Sequence, residues 1–316
     1  MNLFTTHTPV LAYEAIKGLN IKPNGLYIDG TFGRGGHTKL ILSQLNSKGH
    51  LYAIDRDPEA IKIATSIIDS RLTIIHGQFS RLANYMNDNK LIGRVDGILL
   101  DLGISSNQID SADRGFSFMH DGPLDMRMDP TNGCSAAEWL LNCSEKEIYW
   151  VLKNFGEERF ARRIARSIIS RCKYKPLTRT KELVDIIYAN VPRTIKSNKH
   201  LATRCFQAIR IFINNELKEL DQVLQSALIV LRKSGRLSVI SFHSLEDRMV
   251  KHFINKHSSG IFIPHDIPLT KSELNSRIYP SKLLKPIARI KPTTREVNHN
   301  RRARSAILRI AEKIAD

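Results

Sequence analysis

Leu26-Tyr27-Ile28-Asp29-Gly30-Thr31-Phe32-Gly33-Arg34-Gly35-Gly36-His37, followed by Leu51-Tyr52-Ala53-Ile54-Asp55, is the stretch from which the fold is read. Each apolar run is strand-like and ends on an acid. Between them lies a glycine-rich turn and a helical stretch from His37 to Leu45. Glycines let a backbone adopt positive φ and approach a ligand closely, and the following helix aims its free N–H groups at the same place. Asp55 stands 20 residues after Gly35, where an acid ending a second strand can accept hydrogen bonds from both hydroxyls of a ribose. The turn alone is equally a plain strand–turn–helix. The ordered succession of strand, glycine turn, helix, strand and acid favours a nucleoside-containing ligand.

The pattern continues on the carboxyl side. Pro58 suits a helix start, where its missing N–H would be unpaired anyway. Ile61, Ala64, Ile67 and Ile68 then make one helical stripe. Arg71 to Ile75 reads as a third strand and Val95 to Leu102 as a fourth, almost wholly apolar one. Near-continuous apolar strands alternating with amphipathic helices predict a Rossmann-like α/β sheet covered on both faces. From Ser105 to about Asn215 the residues repeat at a period near 3.6 instead, predicting a helical insertion. A long helix is expected around Ala208 to Leu231, then strands at Arg236–Phe242 and Ser305–Ile310, with a loop between Gly260 and Asn300. The expected division is residues 1–104 and 216–316 for the sheet domain and 105–215 for the insertion, read as an RNA-recognition domain.

The chain of 316 residues is 42% hydrophobic and 25% charged, with 48 Lys+Arg against 31 Asp+Glu, a net charge of +17. That excess favours an anionic partner. No apolar run reaches the roughly 20 residues a bilayer requires, and the opening residues carry no secretory or transit pattern. Cys134, Cys143, Cys172 and Cys205 are far apart, so neither a disulfide framework nor a metal site is indicated. A cytoplasmic protein with reduced thiols is expected. Arg159, Arg162, Arg163, Arg166, Arg171, Lys173, Lys175, Arg179 and Lys181 fall in one stretch without an acid. Arg159, Arg162, Arg163 and Arg166 share a helical face opposite Phe160, Ile164 and Ile168, which suits a helix docked on its domain and facing RNA phosphates. Lys291, Arg295, Arg301, Arg302 and Arg304 form a second basic cluster. Trp139 and Trp150 are expected in the core, and Tyr149 and Phe155 either pack there, the favoured reading, or stack on a base. His243 reads equally as a base-facing residue or a hydrogen-bonded loop histidine.

The glycines at 30, 33, 35 and 36 do not match G-x-G-x-x-G, which disfavours a dinucleotide and a nicotinamide dehydrogenase. A sulfonium cofactor has no pyrophosphate to cradle. Phe79, after the third strand, could flank a purine or pack in the core. Asp101 ends the fourth strand at the edge where open α/β sheets bind ligands, or else caps the following loop.

Ten blocks resemble one family: HTPVL at 7–11, DGTFGRGGH at 29–37, AIDRDPEAI at 53–61, DLGISS at 101–106, RGFSF at 114–118, DGPLDMRMD at 121–129, GEERFARRIA at 156–165, FQAIRI at 206–211, SFHSLEDR at 241–248 and RARSAILR at 302–309. The chain is identified by them as similar to the bacterial 16S ribosomal RNA cytosine-N4 methyltransferases of the mra cluster. The resemblance implies a class I methyltransferase sheet, S-adenosylmethionine as cofactor, and a decoding-centre cytosine of the small ribosomal subunit as acceptor. It implies cofactor contacts at Gly35, Gly36, His37, Asp55, Phe79, Asp101 and Gln108. Asn107, Leu201, Cys205 and Arg301 depart from the family pattern, and Asn107 flanks the loop carrying Gln108. The Pro-Pro turn of many amino-methyltransferases is missing after Asp101, so the group that orients the cytosine amine is open between Asp101, backbone carbonyls and Asp125. A non-catalytic rRNA-binding assembly factor that keeps a nucleoside pocket is the competing expectation, and a homodimer remains open.

Overall fold

The apolar runs of the first hundred residues form parallel strands in the computed structural model, which describes residues 9–192, 200–258 and 282–315. The chain divides into two compact units, residues 1–103 with 218–316, and residues 104–217.

The first unit holds one seven-stranded sheet in the order β3-β2-β1-β4-β5-β7-β6. Its strands are β1 Leu26–Asp29, β2 His50–Asp55, β3 Leu72–His76, β4 Val95–Asp101, β5 Leu231–Ser241, β6 Leu284–Ile290 and β7 Ile307–Lys313. The first five are parallel, whereas β7 runs antiparallel to both β5 and β6. β4 is buried along all but its last residue because it lies between β1 and β5, with both faces covered. Its Ile98 and Leu100 join Ile28, Ile54 and Val239 on one side, under helices Glu216–Val230 and Ser244–Ser258. Leu99 points to the other side, with Tyr27, Leu51 and Ile240, where helix Ala12–Leu19 supplies Ala15, Ile16 and Leu19. Successive residues on opposite faces are what the pleat of a strand requires.

Several expectations needed correction. Helix Pro58–Ala64, capped by the Asp57 carboxylate on Glu59 N–H, stops before Ile67 and Ile68. The Thr65 and Ser66 hydroxyls bond back to the Lys62 and Ile63 carbonyls (3.0 and 2.7 Å), an alternative to further helix, and Ile68 is fully exposed. The expected long helix is instead two, Thr203–Ile213 and Glu216–Val230, broken where Asn215 takes φ 51°. The expected loop at 260–300 contains β6 and helix Thr294–His299, while residues 259–281 lie outside the described ones. β6 is the outermost strand, the position that tolerates Pro286.

In the second unit the regular elements among the described residues are helices, apart from one isolated bridge between Pro123 and Arg179. Ser135 and Glu138 close a capping box, and Ser144 caps helix Glu145–Gly156. The DGPLDMRMD block runs through this unit with Gly122, Leu124, Met126 and Met128 buried and the residues between them exposed or half-buried. Leu124 N–H donates to Thr178 O (2.8 Å), Met126 N–H to Arg114 O (3.1 Å) and Met128 N–H to Asn214 Oδ1 (2.7 Å). Asn214 Nδ2 returns a bond to Met126 O (2.7 Å). Trp139 is buried and donates Nε1–H to Glu147 (2.9 Å), whereas Trp150, expected in the core, is half exposed. Tyr149 and Phe155 rest partly buried on the core of this unit.

No described helix is long and apolar enough to cross a membrane.

Candidate functional site

The carboxyl ends of β1, β2 and β4 bring Asp29, Asp55 and Asp101 to one edge of the first unit, around the glycine turn. That edge includes the place between β1 and β4 where strand order reverses, which is where open α/β sheets bind ligands. The turn leaves β1 under tight constraints. Gly30 lies so close to β4 that a Cβ there would sit 2.6 Å from Leu100 Cδ2. Gly35 has φ 73°, and a Cβ on it would meet Phe32 Cζ at 2.8 Å. Both constraints explain glycine at these positions.

The three acids are served unequally. Asp29 is fully buried and saturated locally, accepting from Thr38 Oγ1 (2.7 Å) and Thr31 N–H (3.1 Å). Burial raises its pKa, although His37 and these hydrogen bonds oppose the rise. Asp55 accepts from Gly33 N–H (2.7 Å) on one oxygen and from Asp57 N–H (2.9 Å) on the other. Desolvation outweighs those two bonds and pushes its pKa up to about 6, with Asp57 and Asp29 adding repulsion. Asp101 N–H donates to Thr31 Oγ1 (2.6 Å), tying β4 to the turn, while its Oδ1 has no hydrogen-bond partner among the described residues.

His37 is buried in the first turn of helix Gly36–Leu42, with Nε2 3.5 Å from Asp101 Oδ2. Neither ring nitrogen has a standard hydrogen bond among the described residues. Burial would lower its pKa, but the carboxylates of Asp101 and Asp29 more than compensate and raise it. Phe79 opens the turn after β3, partly buried, and its Cβ lies 3.8 Å from where a Gly30 Cβ would stand. Gly35, Gly36, His37, Asp55, Phe79 and Asp101 therefore all belong to this one edge of the first unit.

Gln108 and Asp125 belong to the second unit. Gln108 is buried as the third residue of helix Ser106–Asp110, where its Oε1 accepts from Ser105 N–H (2.8 Å) in a capping box. Asp125 is clamped by Arg127 through Nε (2.8 Å) and Nη2 (2.7 Å), which holds its carboxyl below the usual range against the opposing effect of burial. His243 follows β5, with Nδ1 accepting from Glu246 N–H (3.4 Å) and Nε2 lying 3.2 Å from Glu246 Oε1.

The sequence reading missed the closed Asp29 cluster and the His37–Asp101 pair. Thr31 and Thr38, flanking the glycines, were the available signal for the first. The second joins residues 64 positions apart and leaves no local mark.

Arg162, Arg163 and Arg166 are exposed on helix Ala161–Cys172, whose Ile164, Ala165 and Ile168 are buried, and exposed Arg159 precedes it. Arg162 lies over the Tyr149 ring at 5.4 Å. The basic stretch is less bare than its sequence. Arg166, Arg171 and Arg179 meet Glu145 (3.9 Å), Glu182 (2.9 Å) and Asp121 (2.7 Å), acids supplied by other parts of the unit. Arg159 and Arg163 have no ion-pair partner among the described residues. All four cysteines are free thiols, and burial pushes Cys143 up to about 12 and Cys205 higher still, which disfavours these two as nucleophiles.

His37 Nδ1, Asp101 Oδ1 and the carboxylate of Asp55, held up near pH 6, are polar groups that suit a ligand with hydroxyls and a charged amino-acid end. They fit S-adenosylmethionine. Among solved structures, the chain is similar to a Clostridium thermocellum protein described as a candidate rRNA methylase, at 12% identity and a TM-score of 0.44, covering 98% of this chain and 100% of that one. It is also similar to an S-adenosylmethionine-dependent O-methyltransferase of Thermotoga maritima, at 12% identity and a TM-score of 0.41, covering 100% and 69%. Likeness that distant carries no argument. The model of the MraW methylase family, however, matches residues 4–314, nearly the whole sequence. With its class I methyltransferase sheet and S-adenosylmethionine as methyl donor, the chain belongs to the MraW methylase family.

Proposed function

We propose that the protein methylates the exocyclic N4 of a decoding-centre cytidine in the 16S rRNA of the small ribosomal subunit. The RNA substrate rests above all on the arginine face of helix Ala161–Cys172, where Arg159, Arg162, Arg163 and Arg166 stand exposed. The net charge of +17 points the same way. The cytosine acceptor rests on the resemblance of the motif blocks.

S-adenosylmethionine, when bound, supplies a sulfonium methyl that is already electrophilic, so the protein's task is alignment more than acid–base chemistry. Asp55 would accept the ribose hydroxyls. His37 and Asp101 would face the amino-acid end, and Phe79 would flank the adenine. Cytosine's amine is conjugated with its ring and weakly nucleophilic. An oxygen accepting from its N–H groups stabilises the positive charge that develops as the new bond forms. Asp101 Oδ1 is the acceptor this edge offers, since Asp125 is committed to Arg127.

The test is transfer of labelled methyl to naked 16S rRNA and to 30S particles, mapped to the nucleotide. One modified cytidine is expected. Cofactor binding without transfer to either substrate would favour the assembly-factor reading and sink this one.

A further inference from the structure

Lys291 to Ala306 connects β6 to β7, and the register fixes where it lies. Asp101 pairs with Ile240, Ser241 with Ile307, and Leu308 with Ile290. The connection therefore emerges at the same edge of the sheet as Asp101. It is anchored on its inner side, where Ala303 and Ala306 are buried with Val10 and Leu11. The Glu296 carboxylate also accepts from Leu11 N–H (2.7 Å). Pro9 in turn lies against Gly36 of the glycine turn, where a Cβ would meet its Cγ at 3.0 Å.

The outer side is cationic. Helix Thr294–His299 and the 3-10 turn Arg301–Ser305 enclose a cleft of about 490 Å³ lined by Val297, Asn298, Arg301 and Arg304. Arg301 and Arg304 are three residues apart on a 3-10 turn, which puts them on one face. Both are exposed and have no ion-pair partner among the described residues. By contrast Arg309, on the strand that follows, is tied to Asp247 at 2.7 Å. Two unpaired guanidinium groups and a neutral amide around a cleft suit an anion with several acceptor oxygens.

We propose that the cleft between Arg301 and Arg304 is a phosphate site for the sugar–phosphate backbone of the substrate RNA, built into the catalytic unit itself. It rests on the reading of the substrate as RNA, and extends it from the arginine helix of the second unit to the edge where the methyl group is delivered. A backbone phosphate held there fixes the strand relative to Asp101, which a surface on the helical unit alone does not do. Asn298 adds a donor that carries no sequence information, as expected of a contact that positions rather than reads.

The experiment uses the full chain carrying R301A and R304A together, with 16S rRNA as probe. RNA affinity at low salt is expected to fall about tenfold, and the slope of log affinity against log salt to lessen by about 1. In turnover the loss falls on KM for RNA rather than on kcat, and calorimetric affinity for S-adenosylmethionine is unchanged. The R301K/R304K pair keeps the salt slope. A double alanine variant matching the wild type in RNA affinity and slope overturns the cleft while leaving the RNA reading intact. A wild-type protein without salt-dependent affinity for RNA overturns both.

Discussion

Cofactor affinity should depend on pH through Asp55. Its carboxyl titrates near pH 6 in the ligand-free protein, because desolvation exceeds what Gly33 N–H and Asp57 N–H return. Acceptance from both ribose hydroxyls needs the ionised form, because protonation turns one carboxyl oxygen into a donor. At pH 7 about nine-tenths of free molecules carry the carboxylate, and at pH 5 about one-tenth, so affinity should fall about tenfold, roughly 1.4 kcal/mol, between them. The ligand's own carboxylate and amine keep their charge across that window. His37 is held above its ordinary value by Asp101 and Asp29. Calorimetry from pH 5 to 7.5 in buffers of different ionisation enthalpy reads the effect twice, as a dissociation constant and as release of about half a proton per ligand at pH 6. Asp55→Asn keeps the shape but cannot titrate, so it should bind weakly and without the slope. Wild-type affinity that is flat from pH 7 to pH 5, or an Asn variant with the wild-type slope, would refute the placement of the ribose on Asp55.

Other consequences are checked separately. Arg162→Ala with Arg163→Ala should weaken rRNA binding and lessen its salt slope by about 2, one per lost phosphate contact, and an unchanged slope would remove that helix from the interface. Asn214→Ala strands Met128 N–H and Met126 O in the core of the helical unit, so urea denaturation should register a loss of about 2–3 kcal/mol. Gly35→Ala forces a Cβ against Phe32 at φ 73°, with an expected cost of about 1–2 kcal/mol in thermal stability and weaker cofactor binding. A Gly35→Ala protein that melts and binds like the wild type would contradict the tight turn.

The strands legible in the sequence are those whose burial leaves no choice of residue. Tyr27-Ile28, Ala53-Ile54 and Ile98-Leu99-Leu100 are covered on both faces, and their runs of apolar residues say so. β6 lacks that signature. As the outermost strand it exposes Lys285, Pro286, Ile287 and Arg289, and its composition reads as loop. The break at Asn214-Asn215 was hidden for another reason, since the groups that hold Asn214 lie up to 88 residues away. In the site, the glycine turn and the acids ending β1, β2 and β4 stand out locally. What each acid bonds to does not, because partners such as Thr31 for Asp101 N–H arrive only when the sheet is assembled. The same holds for the arginine stretch, whose neutralising acids Glu145, Glu182 and Asp121 lie outside it in sequence.

The unequal service of the three strand-end acids separates structure from function along a single edge. Asp29 has its donors within the turn and is closed, so replacing it perturbs the turn itself. Asp55 has one backbone donor on each oxygen, too little to offset its desolvation. Because its folded pKa lies above its unfolded value, its contribution to stability is present below about pH 4 and lost as pH rises through about 6. At neutral pH the ionised carboxylate is therefore a standing cost, and hydroxyl donors from a ligand relieve it. Asp101 is the least served, with a long contact to His37 and one oxygen unpartnered. A fold selected for stability alone would have finished these two as it finished Asp29. Two acids left open beside one left closed is the pattern expected where the missing donors arrive with the ligands: hydroxyls at Asp55, and an amine at Asp101.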